Sequence, residues 1–146
     1  MRPAFRPLAR AHSLPDIVVD PVEEGAPNRS DPRYVALCLD LIANRQLVGT
    51  HIGFELSADP VWDMLLDLYI WEHRGRDIAI SSLASAANVP PTTARASIRT
   101  MRDLGWVYRQ RDPVDGRRIY IRLTKKAHAA LEAIFEGVIN RSGSAA

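Results

Sequence analysis

The sequence predicts a mainly helical α+β domain with a single β-hairpin set between its last two helices. Three observations predict it. Apolar residues recur every three to four positions over most of the chain after residue 30, one run alternates strictly at Ile119, Ile121 and Leu123, and turn residues separate each pattern from the next. A chain of 146 residues has room for one core. Its 47% hydrophobic and 25% charged residues are the balance of a folded globular protein, not of a disordered one.

Residues 1–30 hold five of the ten prolines and no period, so they read as a flexible Pro-rich arm. Arg2, Arg6 and Arg10 in that arm leave open a contact with DNA or a partner subunit beside a plain solvated tail. Asp31 is a good N-cap and Pro32 suits the first helical position. The helix they open, residues 31–56, carries Tyr34, Val35, Leu37, Leu39, Leu41, Ile42, Leu47 and Val48, an apolar face wider than one core needs. Its second side is expected against another subunit. The lone cysteine, Cys38, sits in that face and reads as a small core hydrophobe.

Ser57 or Asp59 caps the next helix, with Pro60 early in it and Val61, Met64, Leu65, Leu68, Tyr69 and Trp71 turned inward until Gly75. Residues 77–80 fit a brief strand. Ser81 then caps a short helix with Leu83, Ala86 and Ala87 inward, and Asn88 and Val89 make a turn. Pro90 and Pro91 open a further helix whose stripe is Ala94, Ile98, Met101 and Leu104, stopped by Gly105. A hairpin comes next: residues 106–109, a loop at 110–117 containing Pro113 and the pair Asp115-Gly116, and the alternating run to Leu123. Thr124 caps a last helix with Ala127, Leu131, Ile134, Phe135 and Val138 as its stripe, ending near Asn140. This order is that of a winged helix-turn-helix, so residues 31–141 divide into a dimerisation helix (31–56), the winged helix-turn-helix (60–123) and a second dimerisation helix (124–141).

Charge is distributed unevenly over these elements. From Arg95 to Lys126 ten basic side chains face three acidic ones, a net +7; the whole chain is +2, so the remainder carries −5. A basic surface on an acidic body suits a polyanion. With Ala94, Ile98 and Met101 inward, the helix at 91–104 presents Thr92, Thr93, Arg95, Ala96, Arg99 and Arg102. Hydroxyls and first-turn N–H groups bind phosphate, and arginine forks onto guanine O6 and N7 in the major groove. The hairpin offers Arg109, Arg111, Asp115, Arg117 and Arg118, whose guanidiniums fit the negative minor groove.

The stretch Asp115-Gly116-Arg117, five residues, then Leu123-Thr124 resembles the wing signature of the MarR family of transcription regulators. Ser82-Leu83-Ala84 with Val89, Thr92-Thr93, and the ending at Met101 to Gly105 before Trp106-Val107 resemble that family's helix-turn-helix, so the likeness runs from Val61 to Leu131. It implies a homodimer joined by its terminal helices on a pseudo-palindromic operator, with Arg117 in the minor groove and Asp115 orienting its basic neighbours. Ala96 stands where the family often has arginine, which leaves Arg95 or Arg99 for base contact. The early end of the last helix leaves the first with more of the dimer contact. Relatives of this kind respond to small aromatic effectors, for which His51, Trp62, Tyr69 and Trp71 are the candidate pocket; aromatic residues at helical spacing equally serve a core.

Other chemistry lacks its residues. His12, His51, His73 and His128 show no metal-ligand spacing, and neither a phosphate loop nor a nucleophile elbow occurs. Solvation on helix faces accounts for Asp63, Asp67 and Glu72. The expectation is a non-enzymatic, cofactor-free DNA-binding protein with no metal. With neither a membrane-length apolar run nor a signal-peptide core, it is expected in the cytoplasm. The rival readings are a winged-helix replication, partition or phage DNA-binding protein and a protein-interaction module, the latter having no use for a basic helix beside a basic wing.

Overall fold

The computed structural model describes residues 30–144, so the arm expected at 1–30, with Arg2, Arg6 and Arg10, lies outside them apart from Ser30. Helix α1 spans Pro32–Ile52. It starts where predicted, the Asp31 carboxylate accepting the Arg33 amide at 2.9 Å with Pro32 in the first turn. The helix expected to continue to residue 56 stops instead at Gly53, whose φ of 104° no helix accommodates. Helix α2, Phe54–Ser57, then folds back so that the Phe54 ring lies on Gly49, at a place where a Cβ would collide with it.

Helix α3 spans Pro60–His73 and is capped by Asp59, which accepts the Trp62 amide at 3.2 Å. Ser57, the other candidate cap, donates back to the Gly53 carbonyl at 3.0 Å. Met64, Leu66, Leu68, Tyr69 and Ile70 are buried, but Val61 is 38% exposed. Strand β1 is only Ile78–Ala79, and α4, Ile80–Ala86, begins directly after it. Ser81 is therefore inside α4 and not its cap, its carbonyl accepting the Ser85 hydroxyl at 3.1 Å. Leu83, Ala84 and Ala87 are the residues α4 and its cap turn to the core, with Ala86 half-buried. Asn88 makes the turn at φ 54°, a left-handed conformation that asparagine tolerates.

Helix α5, Pro91–Asp103, buries Ala94, Ile98 and Met101. Leu104, placed in the same stripe by periodicity, is 60% exposed, because Gly105 at φ 80° turns the chain away before another turn forms. Strands β2, Val107–Arg111, and β3, Ile119–Leu123, pair antiparallel from Val107 opposite Leu123 to Arg111 opposite Ile119. Gln110 and Arg111 thus belong to a strand, and the hairpin tip is residues 112–118. The small sheet runs β1-β3-β2. Thr124 caps α6, Lys125–Ser144, its hydroxyl accepting the Ala127 amide at 3.2 Å, and the helix continues past the expected end at residue 141.

One core joins these elements. Tyr69 packs edge-on to Phe135 of α6 with ring centroids 5.1 Å apart, and Tyr34 of α1 lies 6.1 Å from the same ring. Cys38 is fully buried as expected; its thiol donates to the Leu66 carbonyl at 3.4 Å, and burial, then the Asp67 charge, pushes it up to about 12. The three carboxylates assigned to solvated faces are half-buried or buried. Arg45 clips Asp63 through Nε at 2.8 Å, burial raises the Asp67 carboxyl above its usual range, and Glu72 is 8% exposed. Among the described residues no helix is long and apolar enough to cross a membrane.

Candidate nucleic-acid interface

Helix α5 is held inward by its buried stripe, which leaves Thr92, Thr93, Arg95, Ala96 and Arg99 exposed and Arg102 half-buried. Five of the six expected reading positions therefore face solvent, and the sixth lies along the edge of the packed side. Pro90 stands at the N-cap and supplies no side-chain hydrogen bond. The first-turn amides of Thr92 and Thr93 are thus left without a side-chain cap, the arrangement that favours an anion at a helix start.

The C-terminal end of α5 is tied firmly to the hairpin and to the start of α6. Trp106 donates its amide to Met101 at 2.8 Å, and Lys126 Nζ donates to the Leu104 carbonyl at 2.9 Å while lying 4.0 Å over the Trp106 ring. The Thr124 hydroxyl reaches the Gly105 carbonyl at 2.8 Å. These contacts fix the angle between α5 and the hairpin.

The hairpin tip is organised by a residue that the sequence pattern does not single out. Asp112 accepts the amides of Val114 at 2.8 Å and Asp115 at 3.2 Å with one oxygen, and the Tyr120 hydroxyl at 2.8 Å with the other. The Tyr120 bond first, then the two amides, hold its carboxyl below the usual range. An aspartate just after a strand and before proline is a turn former, and that is the signal by which it could have been found. Asp115 accepts the Arg117 amide at 3.1 Å and lies 3.8 Å from Arg118, while Arg111 bonds the Gly116 carbonyl at 3.0 Å. Asp115, Arg117 and Arg118 stand exposed at the tip, and Arg111 is exposed beside it.

Arg109 differs from the other arginines of the hairpin. It is half-buried on β2, and burial first, then the charges of Arg102 and Arg99, hold its guanidinium below the usual arginine range. The base of the hairpin and the last turns of α5 are therefore close enough to share one field.

The four aromatic and histidine residues considered for a ligand do not meet. Tyr69 is fully buried between Phe135 and His128, and burial lifts its hydroxyl to about 12. His51 is exposed at the end of α1. Trp62 and Trp71 are half-buried on α3, nine residues apart and so on opposite sides of the helix. A cavity of about 100 Å³ between α1, α3 and α4 is lined by Ile42, Arg45, Gln46, Asp63, Asp67 and Ala86, and by none of those four.

Comparisons with known proteins agree with this architecture. Residues 63–127 match the family described as winged helix DNA-binding domain. No curated protein matches the chain. A point mutant of S. aureus MepR is 20% identical over 75% of this chain and 80% of its own, with a TM-score of 0.51. A second MepR mutant, bound to an oligodeoxyribonucleotide, is 20% identical over 75% and 79%, also at 0.51. MarR is 23% identical over 77% and 83%, with a TM-score of 0.40. The chain therefore has the mainly helical α+β fold of MepR, the winged helix-turn-helix that its resemblance to the MarR family implies, and over residues 63–127 it is similar to the winged helix DNA-binding domain family.

Proposed function

We propose that this protein is a sequence-specific double-stranded DNA-binding transcription regulator that acts as a homodimer on a pseudo-palindromic operator. The observation that carries the reading is helix α5 burying Ala94, Ile98 and Met101 while Thr92, Thr93, Arg95 and Arg99 stand exposed, followed by a hairpin whose Arg111, Arg117 and Arg118 are exposed as well. The first turn of α5, left without a side-chain cap, adds to this set. In this reading α5 lies in the major groove, with Thr92 and Thr93 on phosphate and Arg95 or Arg99 on base edges. Arg117 and Arg118 reach the minor groove from a tip that Asp112 and Asp115 keep ordered. The MepR mutant of like fold carries an oligodeoxyribonucleotide, which favours the same partner here.

Homodimerisation draws support from apolar surface. On α1 Leu39, Leu47 and Ile52 are 41%, 56% and 61% exposed, and Leu56 on α2 and Ile134 on α6 are 82% and 44% exposed. A surface of this kind suits burial against a second copy. Regulation then works by occupancy of the operator and requires no bond-making step.

Selection of bound duplexes from random DNA is the test. Recovery of an inverted repeat with half-sites about one helical turn apart is expected, and a pool with no enriched sequence would refute the reading. On the recovered site, Arg117→Ala should weaken binding uniformly and lower the salt slope by about 1, whereas Arg95→Ala should change the preferred sequence.

A further inference from the structure

We propose that Arg99, Arg102 and Arg109 form one phosphate-binding site at the seam between α5 and β2, occupied by a single phosphodiester of the DNA backbone. The proposal rests on the DNA-binding reading above and assigns within it a site that is neither base reader nor wing tip.

Strand geometry puts Arg109 there. Alternate residues of a strand share a face, so Val107, Arg109 and Arg111 project together. Val107 is buried and pairs with buried Leu123, and Arg109 pairs with buried Ile121. That face is the one turned to the helices. Arg109 therefore leaves the sheet on its core side, at the last turns of α5, and not from the protruding tip. Arg99 and Arg102, three residues apart, are neighbours on one side of α5. Arg102 is half-buried against the seam and Arg99 is exposed beyond it.

Two further observations say what belongs in the seam. The Nε of Arg109 is closed off from solvent and has no hydrogen-bond partner among the described residues. A guanidinium N–H left in that state costs more than an exposed one. Among the described ion pairs none joins Arg109 or Arg99 to a carboxylate. Both positive neighbours and burial act on Arg109 in the same unfavourable direction. An anion at the seam relieves the missing counter-charge and the crowding of positive charge together, since charge-assisted bonds from guanidinium to phosphate are the strong kind. A base edge takes one planar fork; a tetrahedral phosphate takes guanidiniums arriving from two elements. The site thus places Arg99 on the backbone and leaves Arg95 as the arginine of α5 that reads a base.

Free phosphate has the same chemistry, so two experiments are paired. The first compares thermal midpoints in sodium phosphate and in sodium chloride of equal ionic strength for the wild type, Arg109→Met and Arg99→Gln. Phosphate stabilises proteins generally by exclusion, so the readout is the excess shown by the wild type over both variants. An excess of several degrees is expected, and no excess overturns the site. Arg99→Gln changes an exposed side chain and decides the matter alone should Arg109→Met not fold.

The second experiment measures wild type and Arg99→Gln on mixed-sequence duplexes carrying one methylphosphonate at successive backbone positions. At one position neutralisation should weaken the wild type about ten-fold and Arg99→Gln markedly less. Equal losses for both proteins at every position overturn the phosphodiester as occupant while DNA binding itself stands. If no duplex binds at all, the DNA-binding reading fails and the phosphodiester with it, and the thermal comparison still reports separately on the anion site.

Discussion

Glu72 ties three elements together through one buried carboxylate. Its Oε1 accepts the Leu123 amide of β3 at 2.7 Å, its Oε2 meets His128 Nε2 of α6 at 2.5 Å, and Arg122 Nε lies 3.9 Å away. Glu72→Leu would strand the Leu123 amide and remove the partner of His128, and should cost about 3 kcal/mol in urea unfolding. Glu72→Gln keeps an acceptor for the amide and should cost less; equal losses would show that the charge alone matters. Asp67 presents the opposite case. Burial raises its carboxyl above the ordinary 3.8, against the weaker opposing effects of the Trp71 bond and the Arg74 charge. A raised carboxyl penalises the folded state fully above its folded value and not at all below the unfolded one. Asp67→Asn should therefore raise the urea midpoint at neutral pH, with the gain vanishing as pH falls below the ordinary 3.8. A gain that persists in acid would assign it to packing. Neither residue's burial is legible in the sequence, because a carboxylate on an amphipathic helix reads as surface until the neighbouring strand and helix are in place.

The hairpin is the element most dependent on a single side chain. Asp112 holds the tip by two amides and the Tyr120 hydroxyl, and these bonds depress its carboxyl below 3.8. A depressed carboxyl stabilises above its unfolded value, and that contribution is lost as pH falls through the folded one. The Val114 and Asp115 amide resonances should therefore hold steady down to about pH 4 and move below it. In Asp112→Ala the same amides should exchange faster with solvent while the global unfolding midpoint barely changes, because the tip lies outside the core. Unchanged exchange would show that the strands alone order the tip. The existence of the hairpin is readable from its alternation and from Asp115-Gly116, but its register is not. The sequence pattern ends β2 at Arg109, where the structure continues it to Arg111 opposite Ile119, with the Asp112 amide bonding the Arg118 carbonyl and the Arg111 side chain bonding the Gly116 carbonyl beyond. Gly53 escapes notice as a break in α1 for a related reason: a glycine within an apolar period looks tolerable until the Phe54 ring folds back on Gly49.

At the scale of the molecule, apolar side chains are left uncovered on α1 and α2, and exposed arginines stand on α5 and the hairpin. If a second copy covers the former, Leu47→Glu with Ile52→Glu should shift sedimentation to the monomer with unchanged helical circular dichroism, and weaken binding to an inverted-repeat duplex far more than to a half-site. A wild type that sediments as a monomer at every concentration would remove the dimer from the reading. The element order apart from α2, the stripe of Ala94, Ile98 and Met101 on α5, the caps at Asp31 and Thr124, and the crowding of positive charge between Arg95 and Lys126 were all determined by sequence. Each depends on local spacing or local chemistry, which a linear pattern records. Which face of the sheet Arg109 takes, that Glu72 is a buried link, and that Tyr69 is fully buried against Phe135 were decided only in three dimensions. Those outcomes depend on burial, and burial is set by segments far apart in the chain that meet only when the fold closes.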